Sequence, residues 1–140
     1  MRTTTPVACR RRPSPIVLPL LRYATAGVWL VFGLGFKVLG LVPRHERIVA
    51  AVLGPEFAGP ATIAVGVGET LLACWILSGR WPRLCAAVQT AAIAAMNTLE
   101  LVHAREHLLA PVPMVVLNTI FLTVVWSVAL RTPTQKREAA

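Results

Sequence analysis

With 140 residues, 56% hydrophobic and 14% charged, and a mean hydropathy of +0.66, the chain is one domain at most and much more apolar than a soluble protein, where about 25% of residues are charged. A net charge of +8 and a pI of about 11.1 would suit a nucleic-acid binder, but the cations cluster at the ends of apolar segments and in the tails. No basic face of a folded soluble domain is left for nucleic acid, and the partner that remains is the lipid bilayer.

Residues 1–15 carry Arg2, Arg10, Arg11 and Arg12 with three prolines, a composition that reads as a basic cytoplasmic tail without a core of its own. The apolar run IVLPLL that follows is cut by Arg22 and is too short for a cleavable secretory signal. The membrane domain is expected over residues 16–130. Its first span covers about residues 20–42, with Trp29, Gly33, Phe36, Lys37 and Gly40 on one face and Pro43 as its end. Gly33 and Gly40 would let a neighbouring helix come close.

Residues 44–59 are too short and too polar to span, and within them residues 44–53 form the helical part. Ile48, Val49, Val52 and Leu53 share one side and Arg44 and Arg47 the other, with Gly54-Pro55 as the stop. The pattern predicts a short amphipathic helix at the membrane surface between the first two spans. The second span, residues 60–78, has Glu69 at its centre and an expected small-residue packing face at Ala64 and Gly68. Gly79-Arg80-Trp81-Pro82-Arg83 reads as a tight hairpin.

The third span lies within residues 82–107. At about 100° per residue, Gln89, Met96, Glu100, His103 and His107 fall within roughly 40° of one helical line, with Asn97 at its edge. The opposite face is Ala, Val, Leu and Ile. Polar groups in hydrocarbon need partners, so this stripe faces a bundle interior. The fourth span, about residues 108–130, contains Pro111, Pro113 and Asn118. Arg131 terminates it, and residues 131–140 form a polar cytoplasmic tail.

Charge placement predicts the orientation. With both termini cytoplasmic, Arg2, Arg10, Arg11, Arg12, Arg22, Arg80, Arg83, Arg131, Lys136 and Arg137 lie inside, against Lys37, Arg44, Arg47 and Arg105 outside. This is a clear positive-inside bias. Trp75, Trp81 and Trp126 then belong to the inner aromatic belt. At 1.5 Å per residue, Glu100 lies about 3 Å below the outer end of its span, Lys37 and Asn97 about 8 Å, and Glu69 and Asn118 about 14 Å. These residues, with Gln89 deeper, are the candidate polar pocket: Lys37, Glu69, Gln89, Asn97, Glu100 and Asn118.

An acid at mid-bilayer costs about 3 kcal/mol or more, so Glu69 must be paired, neutral or hydrated. It reads either as a proton-accepting or ligand-binding carboxylate, or as a structural partner of Lys37 or Asn118. Glu100, His103 and His107 resemble half of a carboxylate–histidine metal site, but the second half is missing and no metal is expected. Cys9, Cys74 and Cys85 form no CxxC and read as packing thiols. No residue is assigned a catalytic role.

The stretches WLVFGLGFKVLG, HERIVAAVLG, VGETLLACWILSGRWPRLCAAVQT and MNTLE resemble the DoxX-like family of small bacterial membrane proteins, over most of residues 29–118. The resemblance implies an all-α bundle of four transmembrane helices in the inner membrane, the fold the span pattern also predicts. Some relatives are linked to quinone-dependent thiosulfate oxidation or to membrane redox complexes. The implied function is an accessory subunit of a quinone-linked system, with a quinone-like lipid as the one ligand and a membrane redox partner or a second copy as partner. The alternative is a small oligomeric protein that translocates protons or a solute through Glu69.

Overall fold

The computed structural model describes residues 16–103 and 111–132. They fold into five helices with no strand among the described residues: α1 (Val17–Leu30), continued by a π-helical segment (Val31–Val38), then α2 (Arg44–Leu53), α3 (Pro55–Ser78), α4 (Pro82–His103) and α5 (Pro111–Arg131). Four helical stretches are long and apolar enough to cross a membrane: Val17–Val38, Pro55–Ser78, Pro82–His103 and Val112–Arg131. The chain is a multi-pass membrane protein with an all-α four-helix bundle and a short amphipathic helix between its first two spans.

Glycine and proline set the helix boundaries. Gly54, at φ +92, precedes Pro55 at the first turn of α3, where the missing proline N–H costs no helical bond. Gly79, at φ +65, closes α3 in the left-handed conformation, and its N–H is donated to the Ile76 carbonyl. The hairpin is tight enough to hold Trp81 at φ +49 as well. The Trp75 indole N–H, donated to the Arg80 carbonyl at 2.8 Å, fastens it.

Two expected boundaries shift. The first span begins at Val17 and its last eight residues are π-helical, whereas residues 20–42 were expected. The second begins at Pro55 rather than at residue 60, with Pro60 inside the helix, where its missing N–H leaves the Glu56 carbonyl without the usual helical bond.

α1 packs against α3 on one side and α5 on the other, and α4 packs against α5 and more lightly against α3, which closes the ring. Contacts are made by small residues: Ala26, Ala73, Ala86 and Ala129 are almost fully buried. In lipid there is no hydrophobic drive between helices, so close backbone approach provides the packing. The core of Ala26, Trp29, Leu72, Ala73, Ile76, Cys85 and Ile93 fills the hairpin half of the bundle. The outward faces of all four spans carry exposed Leu, Val, Ile and Phe, as lipid-facing surfaces do.

The closest crossing joins the π-helical segment to α3. A Cβ on Gly33 would meet the Gly66 carbonyl at 2.7 Å, and one on Gly66 would meet the Gly33 carbonyl at 2.7 Å. The other three glycines and alanines read as contacts behave differently. Gly40 ends the π-helical segment at φ +65 with nothing near it, Gly68 faces open space, and Ala64 is exposed. Helix α2 lies across the end of this crossing, on α3 and α4. Ile48 is buried there, Val49 and Val52 are half-buried, and Leu53 is exposed.

Candidate functional site

The Gly33–Gly66 crossing brings Lys37 beside Glu69. The Lys37 Nζ donates to both Oε1 and Oε2 of Glu69 at 2.7 Å, and the two residues are 8% and 5% exposed. With both carboxylate oxygens engaged, the charges are balanced inside the bundle. A lone charge there would cost several kcal/mol. The lysine sits on the π-helical segment, a geometry that recurs at functional sites.

One turn away, α4 and α5 are joined by a second polar contact, in which Asn118 Nδ2 donates to Asn97 Oδ1 at 2.7 Å. An amide pair bonded once keeps further donors and an acceptor for a third group. Glu100 is half-buried on the same face of α4. Lys37, Glu69, Asn97, Glu100 and Asn118 all line one cavity of about 900 Å³ between α1, α4 and α5. Most of its remaining wall is apolar and includes Trp29, Phe32, Phe36, Ile93, Met96 and Phe121. The π-helical segment packs on α3 rather than closely on α5. Of the lining residues, Phe32, Leu117 and Ile120 are also exposed, so one side of the cavity lies at the surface of the bundle.

Gln89 does not join this group. It is 3% exposed, accepts the Trp29 indole N–H at 2.9 Å, and borders a separate small pocket at the hairpin end. Its place on the helical line was legible, but its depth puts it on the other side of Trp29. His103 is exposed, and His107 lies outside the described residues. Among the described residues, no three His, Cys, Asp or Glu side chains come together as a metal site. Cys74 is exposed, Cys85 buried, and both are free thiols. Trp126 donates its indole N–H to Thr90 Oγ1 at 3.0 Å, which ties it to α4.

Two cavity residues were not foreseen. Arg44 and His45, from α2, border the polar end. His45 packs against Phe36 and Phe32, with ring centroids 5.7 and 6.3 Å away. Burial pushes its imidazole below the ordinary value, and the nearby Lys37 ammonium adds to the effect, so the ring is neutral at pH 7. The signal was present in the sequence as aromatic residues four apart on the first span and a histidine at the start of the surface helix.

The model of the DoxX-like family matches residues 26–126, a stretch that contains every residue of the cavity's polar end. No curated protein and no solved structure matches the chain.

Proposed function

The chain belongs to the DoxX-like family, and from that premise we propose that it is a non-catalytic integral subunit of a quinone-linked redox system, which holds a quinone-like lipid in the cavity beside Lys37 and Asn118. The observation that carries this reading is the shape of the cavity: about 900 Å³, mostly apolar along its length, polar at one end and with one side at the surface of the bundle. Small-molecule sites have about this volume and this distribution of polar groups. The head of a quinone presents carbonyl acceptors, and its tail is hydrocarbon. Asn97, Asn118 and the third N–H of Lys37 supply donors at the polar end, while Trp29, Phe32, Phe121 and their neighbours suit the tail. A bound quinone would supply redox chemistry; the residues of this chain bind it, orient it and shield its head from water.

The Lys37–Glu69 pair supports this reading over proton or solute translocation. A carboxylate with both oxygens held by one ammonium is fixed in place and is a poor shuttle. The charge bias supports an orientation with both termini cytoplasmic, in which the polar end of the cavity lies in the outer half of the bilayer, and the membrane proposed is the bacterial inner membrane. The partner is a membrane redox protein or a second copy, seated on the exposed apolar faces.

The test is purification in mild detergent followed by mass spectrometry of the extracted lipids. A prenylated quinone retained in near-equal amount by the wild type, and lost from Asn118→Leu and from the cavity-filling variant Ala24→Trp, is the expected result. Retention of ordinary phospholipid alone would refute the quinone reading.

A further inference from the structure

The hairpin end of the bundle contains a second pocket, of about 40 Å³, bordered by Arg22 of α1, Ile76 of α3, Arg80 of the hairpin, Gln89 of α4 and Thr132 after α5. Its charged lining is entirely cationic. None of the described carboxylates, Glu46, Glu56, Glu69 or Glu100, borders it.

Three features make it a built site. The Arg22 Nε is buried and has no hydrogen-bond partner among the described residues. The backbone makes room for the same guanidinium, since a Cβ on Gly79 would come within 2.7 Å of Arg22 Nη1. Gln89, 3% exposed, commits its Oε1 to Trp29. Its amide nitrogen is left with the Cys85 sulfur at 3.6 Å, a weak acceptor. The groups converging on the pocket are therefore donors without a matching acceptor. Burying unmatched donors beside a half-buried guanidinium is costly, and an anion relieves that cost.

The position of the pocket also selects the anion. Arg22 lies over the exposed ring of Tyr23 at 5.7 Å and Arg80 over the exposed ring of Trp81 at 5.8 Å. Exposed Tyr and Trp favour the boundary between membrane and water, where lipid phosphates are concentrated.

We infer that this pocket is a phosphate-binding site at the membrane surface, in which the Arg22 and Arg80 guanidiniums hold the phosphate and Gln89 donates to it from the floor. Guanidinium geometry matches phosphate oxygens in pairs. The two pockets share Thr25 as a lining residue, and the phosphate site does not require the larger cavity to be occupied. The phosphate belongs either to an anionic lipid or to a free ion, and binding measurements separate the two.

The full chain in detergent is titrated with phosphatidylglycerol, with phosphatidylcholine and with inorganic phosphate, and read by native mass spectrometry and thermal unfolding. The wild type should hold one phosphatidylglycerol with about a tenfold preference over phosphatidylcholine. Arg22→Gln and Arg80→Gln should each lose that preference, and Arg83→Gln should keep it, because Arg83 lies outside the pocket. Arg80 is on the exposed hairpin, so its variant tests the site even where Arg22→Gln fails to fold. Stabilisation by inorganic phosphate without a lipid preference, lost in Arg80→Gln, assigns the free ion as the occupant. Equal loss in Arg83→Gln and Arg80→Gln, or no response to either anion, overturns the site.

Discussion

Lys37 and Glu69 illustrate how a charge is carried inside a bilayer. Each is affordable only with the other, so removing one should cost about 3–5 kcal/mol by leaving its partner buried and unpaired. Lys37→Met and Glu69→Gln are therefore expected to unfold well below the wild type in detergent, and the double variant to recover most of the loss. If the double variant is as unstable as the sum of the singles, the pair is not the source of the effect. His45 offers a pH test at the same end of the cavity. Its folded-state value is held below the ordinary 6.5, so above that pH both states are neutral and the residue adds no pH dependence. As the pH falls through 6.5 the unfolded chain takes up the proton first, and stability falls until the folded-state value is passed. The melting temperature of the wild type should drop more steeply below that pH than that of His45→Gln; parallel slopes would contradict the assignment. Most of this was legible in the residues. Helical rise alone puts Lys37, Glu69, Asn97, Glu100 and Asn118 on one side of the midplane, about 3 to 14 Å from the ends of their spans. Gln89 reads as deeper yet stays in the same pocket, because angle and depth do not reveal that Trp29 stands between.

At the level of elements, the close crossing of the first two spans determines which residues meet. Small residues were expected to make it, and Gly33 does. The partner position was read at Ala64 and Gly68, one turn-fraction away from Gly66, because glycine-rich stretches such as GVG offer several small-residue registers of equal merit. Only packing against the π-helical segment selects one, and nothing in the local sequence specifies π geometry. The two glycines provide a direct comparison. A Cβ at Gly66 would press on the Gly33 carbonyl, Lys37 Cβ and Val38 Cγ2 at 2.7, 2.8 and 2.9 Å, whereas one at Gly68 would meet nothing within 4 Å. Gly66→Ala should destabilise by about 1–3 kcal/mol through overpacking, and Gly68→Ala should be neutral or mildly stabilising, since alanine is the better helix former. Equal effects at the two positions in thermal unfolding would mean that the helices do not cross here. The amphipathic helix over residues 44–53 was readable to the residue, because Pro43 and Gly54 bound it and its apolar stripe is unambiguous.

Over the whole molecule, hydropathy and loop charge were enough for the four-span bundle, since a chain in lipid must satisfy its backbone within helices. They do not reveal that the hairpin half is closely packed around one small pocket while the other half holds the large cavity. That division depends on small residues drawing α1, α3 and α4 together at one end, and on the π-helical segment packing on α3 rather than closely on α5 at the other. The account rests on the large cavity holding an amphiphile with its head at Lys37 and Asn118. Trp29 lines the cavity, so a chain carrying Trp75→Phe, Trp81→Phe and Trp126→Phe has one tryptophan, placed where a quinone would quench it. Titration of that chain in detergent with a short-tailed quinone should quench Trp29 fluorescence to a plateau, and Asn118→Leu should shift the midpoint to about tenfold higher concentration, the loss expected for one or two hydrogen bonds. Quenching that rises linearly without a plateau, and is the same in the Asn118→Leu chain, would contradict the account.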